Sequence, residues 1–153
     1  MKRFRYSMEG IKANRNVGYL LHQAQKLARR RVEKVFEGQS LTISQWIALT
    51  LIEEQIATTP GEIAESLGHN TGATTRLVDK LESQGLIVRA HEAKDQRVVT
   101  LSLTKAGQRA VLGLFPAVAE TWNSLLTNFD RDEVKTLIGL LTRLIQRLKE
   151  DEK

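Results

Sequence analysis

The chain of 153 residues contains no cysteine, which excludes disulfides, thiolate metal sites and any switch based on cysteine oxidation. Aromatic residues are few, with two Trp, two Tyr and four Phe. They are not interleaved with basic residues, which argues against a stacking platform for single-stranded nucleic acid. No apolar run approaches the roughly 18 residues of a spanning helix. The basic start, residues 1–12, is followed by no apolar stretch and does not read as a secretory signal. The expectation is a cytoplasmic protein with no membrane partner. His22, His69 and His91 are far apart and show no metal-ligand spacing. Phosphate-binding loops and nucleophile motifs are absent, and Glu53-Glu54 reads as the charged end of a helix. Neither an enzyme nor a bound cofactor or metal is expected. Internal repeats, low-complexity segments and long linkers are also missing.

What is present is basic charge, unevenly spread. The formal net charge is +5. Residues 1–40 carry ten Lys/Arg against three Asp/Glu, and residues 41–70 carry four Glu and no Lys/Arg. Residues 71–110 carry seven against four, and residues 111–153 six against seven. A basic surface suits DNA, RNA or an anionic membrane. The length suits one domain, or a compact domain with appended helices.

The second basic segment lies on the most ordered pattern in the chain. Thr59-Pro60-Gly61-Glu62 reads as a capping box with proline at the first helical position. Ile63 and Leu67, four apart, share a face, and Ala64 and Gly68 leave room for a crossing helix. Gly68 is placed to end that helix, and Asn70 or Thr71 to cap the next, which runs to about Gln84 and stops at Gly85. Ala73, Leu77 and Leu81 form its expected buried stripe. The opposite face carries Thr71, Gly72, Thr75, Arg76 and Asp79. Short hydroxyls, a glycine and an arginine suit a helix end that approaches phosphates and base edges. The same composition also suits a solvated face.

A ribbon follows. Leu86 to Ala90 is an apolar strand interrupted by Arg89, and Val98 to Leu103 alternates with Val99, Leu101 and Leu103 on one side. The loop between them holds Lys94, Asp95 and Arg97. An arginine at a hairpin tip suits a narrow minor groove, and Asp95 can hold it or its own turn in place. An ordinary turn aspartate beside an exposed ion pair fits equally. The order of elements is a helix-turn-helix and a wing. The expected DNA-binding residues are Thr71, Gly72, Thr75, Arg76, Arg89, Lys94, Asp95 and Arg97.

The run from Leu77 to Arg89, then Asp95-Gln96-Arg97, then Leu103-Thr104-Lys105-Ala106-Gly107, resembles the multiple-antibiotic-resistance regulator (MarR) family. Asp95 and Arg97 match the family's aspartate-x-arginine wing motif, and Leu103, Thr104 and Gly107 its leucine-threonine-x-x-glycine motif. Leu41 to Trp46 is similar to the entry into the family's second helix. The resemblance covers nearly the whole chain. It implies a dimeric winged-helix transcription factor, usually a repressor released by a small molecule. One branch of the family senses peroxide through cysteine, which this chain lacks.

The remaining segments read as helices. Asn16 to Phe36 places Val17, Leu20, Leu21, Ala24, Ala28 and Val35 on one stripe. Ile43 to Gln55 is capped by Thr42 with Gln45. A long helix opens at Thr104, reaches about Asn128 and is expected to kink at Pro116. Asp130 and Glu133 cap a last helix with a stripe of Val134, Ile138, Leu141, Ile145 and Leu148, widened by Leu137, Leu140 and Leu144. That stripe calls for a partner surface, either a second subunit or the rest of the chain. The expected fold is mainly α with a small two-stranded β-wing. It is a winged helix-turn-helix at 41–103 flanked by dimerisation segments at 1–40 and 104–153. The partners are double-stranded DNA and a second copy of the chain. Arg15, Tyr19 and His22 share the other face of the first helix and could anchor a small aromatic carboxylate or phenolic effector, or could simply be solvated. Arg31 interrupts the apolar stripe and calls for a carboxylate across the dimer or a ligand. Trp46 reads as core.

Overall fold

The computed structural model describes residue 12 and residues 16–91 and 99–151. Helix α1 spans Val17–Glu33 and ends in a 3-10 turn, Lys34–Phe36. It is followed by α2 (Ile43–Glu53), α3 (Pro60–Leu67) and α4 (Thr71–Ser83). Strands β1 (Ile87–His91) and β2 (Val99–Leu103), then α5 (Lys105–Leu125) and α6 (Arg131–Asp151), complete the order. The strands pair antiparallel, with Ile87 opposite Leu103 and Arg89 opposite Leu101. By internal packing the chain divides at residue 118 into units 1–118 and 119–153. No helix among the described residues is long and apolar enough to cross a membrane.

The caps fall where the sequence puts them. Thr42 with Gln45, and Thr59 with Glu62, each form a full capping box, and Pro60 opens α3. The Asp130 carboxylate accepts from the amides of Asp132 and Glu133, each at 2.8 Å, while Glu133 accepts from the Asp130 amide at 2.9 Å. Asn16 caps α1 by accepting from the Tyr19 amide. Helices α3 and α4 both end on a left-handed glycine, Gly68 at φ 63° and Gly85 at φ 68°. In each case the following amide closes the helix, His69 onto the Ala64 carbonyl and Leu86 onto that of Leu81.

That last bond moves one boundary. The Leu86 amide serves α4, so β1 starts at Ile87 rather than Leu86. Likewise α2 stops at Glu53, short of Gln55, because Gln55 turns left-handed at φ 56° and the Ile56 amide returns to the Leu51 carbonyl. Helix α5 ends at Leu125, three residues before Asn128. Pro116 lies inside it.

The core of the first unit joins α2, α3, α4, the ribbon and the start of α5. Leu49, Ile52, Ile63, Leu81, Ile87 and Leu101 are its largest fully buried apolar side chains. Trp46 bridges it to a smaller cluster of Val32, Phe36 and Val118. Its indole Nε1 donates to the Val111 carbonyl at 3.2 Å, and its ring lies 5.9 Å from that of Phe36. The α4 stripe is Thr74, Leu77, Val78 and Leu81, with Ala73 only half-buried. Thr74 is compatible with burial because its hydroxyl donates to the Asn70 carbonyl, leaving the methyl free to pack.

Two expected stripes, and a further apolar face on α5, stay exposed among the described residues. On α1, Val17, Leu20, Leu21 and Ala24 are exposed and only Val32 is buried. Arg31 is exposed as well. Helix α6 has no buried residue, and Ile138, Ile145 and Leu148 are each more than half exposed. On α5, Leu112, Phe115 and Trp122 are also exposed. The periodicity marks apolar faces on α1 and α6, and their side chains are exposed among the described residues.

The leucine-threonine-x-x-glycine motif has a clear physical basis. The Thr104 amide donates to the Leu86 carbonyl at 3.0 Å, and its hydroxyl donates to that of Gly85 at 2.7 Å. The same hydroxyl caps α5 by accepting from the Gly107 amide at 3.1 Å. A Cβ at Gly107 would lie 2.1 Å from the Leu86 carbonyl oxygen. The glycine therefore allows the first turn of α5 to lie directly on the turn that ends α4.

Candidate nucleic-acid interface

Helix α4 is held from three sides. Asn70 caps its start, accepting from the Ala73 amide at 2.9 Å. The buried stripe fixes its inner face, and the Thr104 clasp fixes its far end. Its outer face then follows from the helical period, and Thr71, Gly72, Thr75, Arg76 and Asp79 are all exposed. The first turn carries no acidic residue, so the helix dipole and free amides present positive potential there.

The polar groups on this face are held by the helix itself. Thr75 donates its hydroxyl to the Thr71 carbonyl at 2.9 Å, and Arg76 Nε donates to the Gly72 carbonyl at 3.2 Å. Arg76 Nη2 lies beside Gly72, 3.8 Å from where a Cβ would stand, and the donors left free can form a two-pronged contact with a phosphate or a guanine edge. Gly72 has no packing reason to be glycine. A Cβ there meets nothing closer than Asn70 Oδ1 at 3.7 Å, an ordinary contact. The space beside Gly72 is bordered by Asn70 and by Arg76 Nη2 at 3.8 Å, so a glycine here costs stability without relieving a clash.

Arg89 is engaged from the other direction. Its Nη2 lies 2.5 Å from Asp79 Oδ1 and its Nη1 lies 3.3 Å from Glu82 Oε2. The structure thus brings Arg89, expected from sequence on the DNA side, onto two acids of α4. Neither that pairing nor the part played by Glu82 was anticipated. The signal for it was an arginine two residues after Ile87 in an otherwise apolar strand, which puts both on one face of β1. Lys94, Asp95 and Arg97 lie outside the described residues, as does Arg15. On α1, Tyr19 and His22 are exposed, and the Tyr19 hydroxyl accepts from Gln23 Nε2 at 2.6 Å.

Glu62 shows the one resolved titration shift among the described groups. Its carboxylate accepts from the amides of Thr58 at 2.8 Å and Thr59 at 2.9 Å, which holds its pKa below the ordinary 4.5. Burial opposes this only weakly. The role is structural, since these bonds anchor the start of α3 under α4.

Residues 41–99 match the MarR family model. The chain is 32% identical to the HTH-type transcriptional repressor MdtR of Bacillus subtilis, over 84% of this chain and 83% of that protein. It is 28% identical to the multiple antibiotic resistance protein MarR of Escherichia coli, over 84% and 90% of the two chains. The apo crystal structure of that MarR superposes with a TM-score of 0.71 at 28% identity, covering 84% of this chain and 96% of the other. A cysteine-to-serine mutant of the same protein, solved with operator DNA, gives 0.71 at 26% identity over 91% and 99%. With capped helices, a two-stranded ribbon and an α4 face of this composition already in place, these matches assign the chain to the MarR family of winged-helix transcriptional regulators.

Proposed function

We propose that this chain is a repressor that binds a pseudo-palindromic operator as a homodimer and is released by a small aromatic or anionic effector. Helix α4 enters the major groove by its first two turns. Thr71 and Thr75 approach phosphates, Gly72 permits close contact and Arg76 reads a base edge. The wing loop, with Lys94, Asp95 and Arg97, reaches the adjacent minor groove. The observation that carries this reading is the outer face of α4, where short residues and an unforced glycine lead up to an arginine. The solved complex of the Escherichia coli relative with operator DNA supports the same use of the fold.

Dimerisation is favoured by the uncovered apolar faces of α1, α5 and α6. The effector site we assign is formed by Tyr19 and His22 of α1 with Arg15 just before it in the sequence, a phenol, an imidazole and a cation suited to a carboxylated ring. The test is selection of genomic DNA fragments by the purified protein, followed by affinity measurements on the recovered duplex against salt and a panel of benzoate-like compounds. A palindromic consensus with half-sites roughly 10 base pairs apart supports the reading. Weak binding indifferent to sequence would instead identify an architectural or protein-interaction module. A compound that releases wild type but not Arg15→Ala supports the α1 site, and equal release of both removes it.

A further inference from the structure

We propose that Arg89 is a positioning residue that braces the wing strand against the recognition helix and offsets part of the charge of its acidic edge, and does not contact phosphate itself. The proposal rests on the DNA-binding reading above. In β1 the side chains of Ile87 and Arg89 share a face. Ile87 is buried against α4, so the strand's next inward-facing position falls at the outer edge of the same helix. There the guanidinium forks between Asp79 at 2.5 Å and Glu82 at 3.3 Å, acids three residues apart on α4. The Arg89 side chain is 31% exposed against 54% for Asp79 and 41% for Glu82, so the cation is the most sheltered of the three.

Asp79 gives the brace its purpose. It continues the line Thr71, Thr75, Asp79 along the exposed face of α4 at intervals of one turn. A bare carboxylate on a face presented to a polyanion weakens binding. Pairing it with Arg89 offsets part of that charge and also fixes the angle at which β1, and with it the wing, leaves the helix. Two of the five guanidinium donors are committed to these carboxylates, which turns the fork toward α4.

The experiment is a double-mutant cycle on the full-length protein. Its four forms are wild type, Arg89→Ala, Asp79→Asn with Glu82→Gln, and all three together. Affinity is read on the duplex recovered by the genomic selection, well below the melting temperature, across a salt series. Melting temperature without DNA is read in parallel. Arg89→Ala is expected to weaken binding roughly fivefold in the wild-type background, the scale of a surface ion pair. In the acid-free background it should cost roughly twofold or less. The salt dependence should stay nearly unchanged, because no phosphate contact is lost. Equal losses in both backgrounds, with the slope of log affinity against log salt falling by about 0.9 per lost contact, would overturn the proposal in favour of direct phosphate binding. Coupled melting temperatures with no change in affinity would overturn it too, leaving a pair that serves the fold alone. If wild type retains no duplex, the DNA-binding reading fails and the positioning role with it. The melting cycle then still shows whether the brace exists.

Discussion

Replacing Gly107 with alanine should unfasten α5 from the end of α4, and the structure sets the scale. The added Cβ would stand 2.1 Å from the Leu86 carbonyl oxygen and 3.0 Å from Leu103 Cδ2. The Leu103 methyl can rotate away, but the Leu86 carbonyl cannot, because it accepts from the Thr104 amide at 3.0 Å. Relief therefore requires α5 to lift by more than an ångström. That lift strains the Thr104 bonds to Gly85 and Leu86. Overpacking of this kind costs about 1–3 kcal/mol, and each weakened hydrogen bond about 0.5–1.5 kcal/mol. The gain from replacing a helical glycine is at most about 1 kcal/mol. With two bonds strained, the net effect is a loss of about 1–5 kcal/mol, or about 2–20 °C in melting temperature for a chain of this size. Gly113 on the same helix supplies the control, since a Cβ there meets nothing within 4 Å. Gly113→Ala should be neutral or mildly stabilising. The assay is thermal unfolding by circular dichroism at one fixed protein concentration, because a dimer's melting temperature varies with concentration. Equal melting temperatures for the two variants would refute the clasp.

Other expectations follow from the same geometry. Gly72→Ala should raise the melting temperature, by up to about 1 kcal/mol in stability, yet weaken DNA binding, since the methyl fits the chain but occupies the approach to the groove. A variant that binds as well as wild type would remove Gly72 from the interface. Glu62 has a folded pKa below its ordinary value, so its contribution is complete above about pH 4.5 and lost as pH falls through the lower folded value. Melting temperatures between pH 6 and 3 should show a loss in acid that Glu62→Gln reduces, and an unchanged profile in that variant would contradict the assignment. Removing Asp130 onward should abolish the dimer, as read by sedimentation. A truncation that still sediments as a dimer would show that α6 is not needed for assembly.

The helix ends and the wing were legible because their signals are local. A capping box, a proline at the first helical position and a left-handed glycine each act within one turn, and Thr59-Pro60-Gly61-Glu62, Gly68 and Gly85 all do what their chemistry dictates. The one-residue error at Leu86 came from a bond that also lies within one turn, so an amide claimed by the preceding helix was read as part of the strand. Thr74 was missed because a threonine looks polar until its hydroxyl is seen returning to the Asn70 carbonyl. The exposed stripes on α1 and α6 were recognised as apolar faces, but periodicity carries no information about what covers them. Within the interface, the α4 face was readable from the 100° step alone. The Arg89 pairing was not, because it joins residues ten apart across a helix and a strand, and a single sequence gives no angle between the two.

The central claim is that the first two turns of α4 read DNA sequence, and Arg76 tests it most directly. Affinity should be measured for wild type and Arg76→Ala on the selected duplex and on a set of duplexes changed at one position per half-site. The expected result is a loss of about 1–3 kcal/mol on the selected duplex, with preference relaxed at a single position in each half-site. A uniform loss across every duplex, with all preferences intact, would make Arg76 a phosphate contact and contradict the role given to this face.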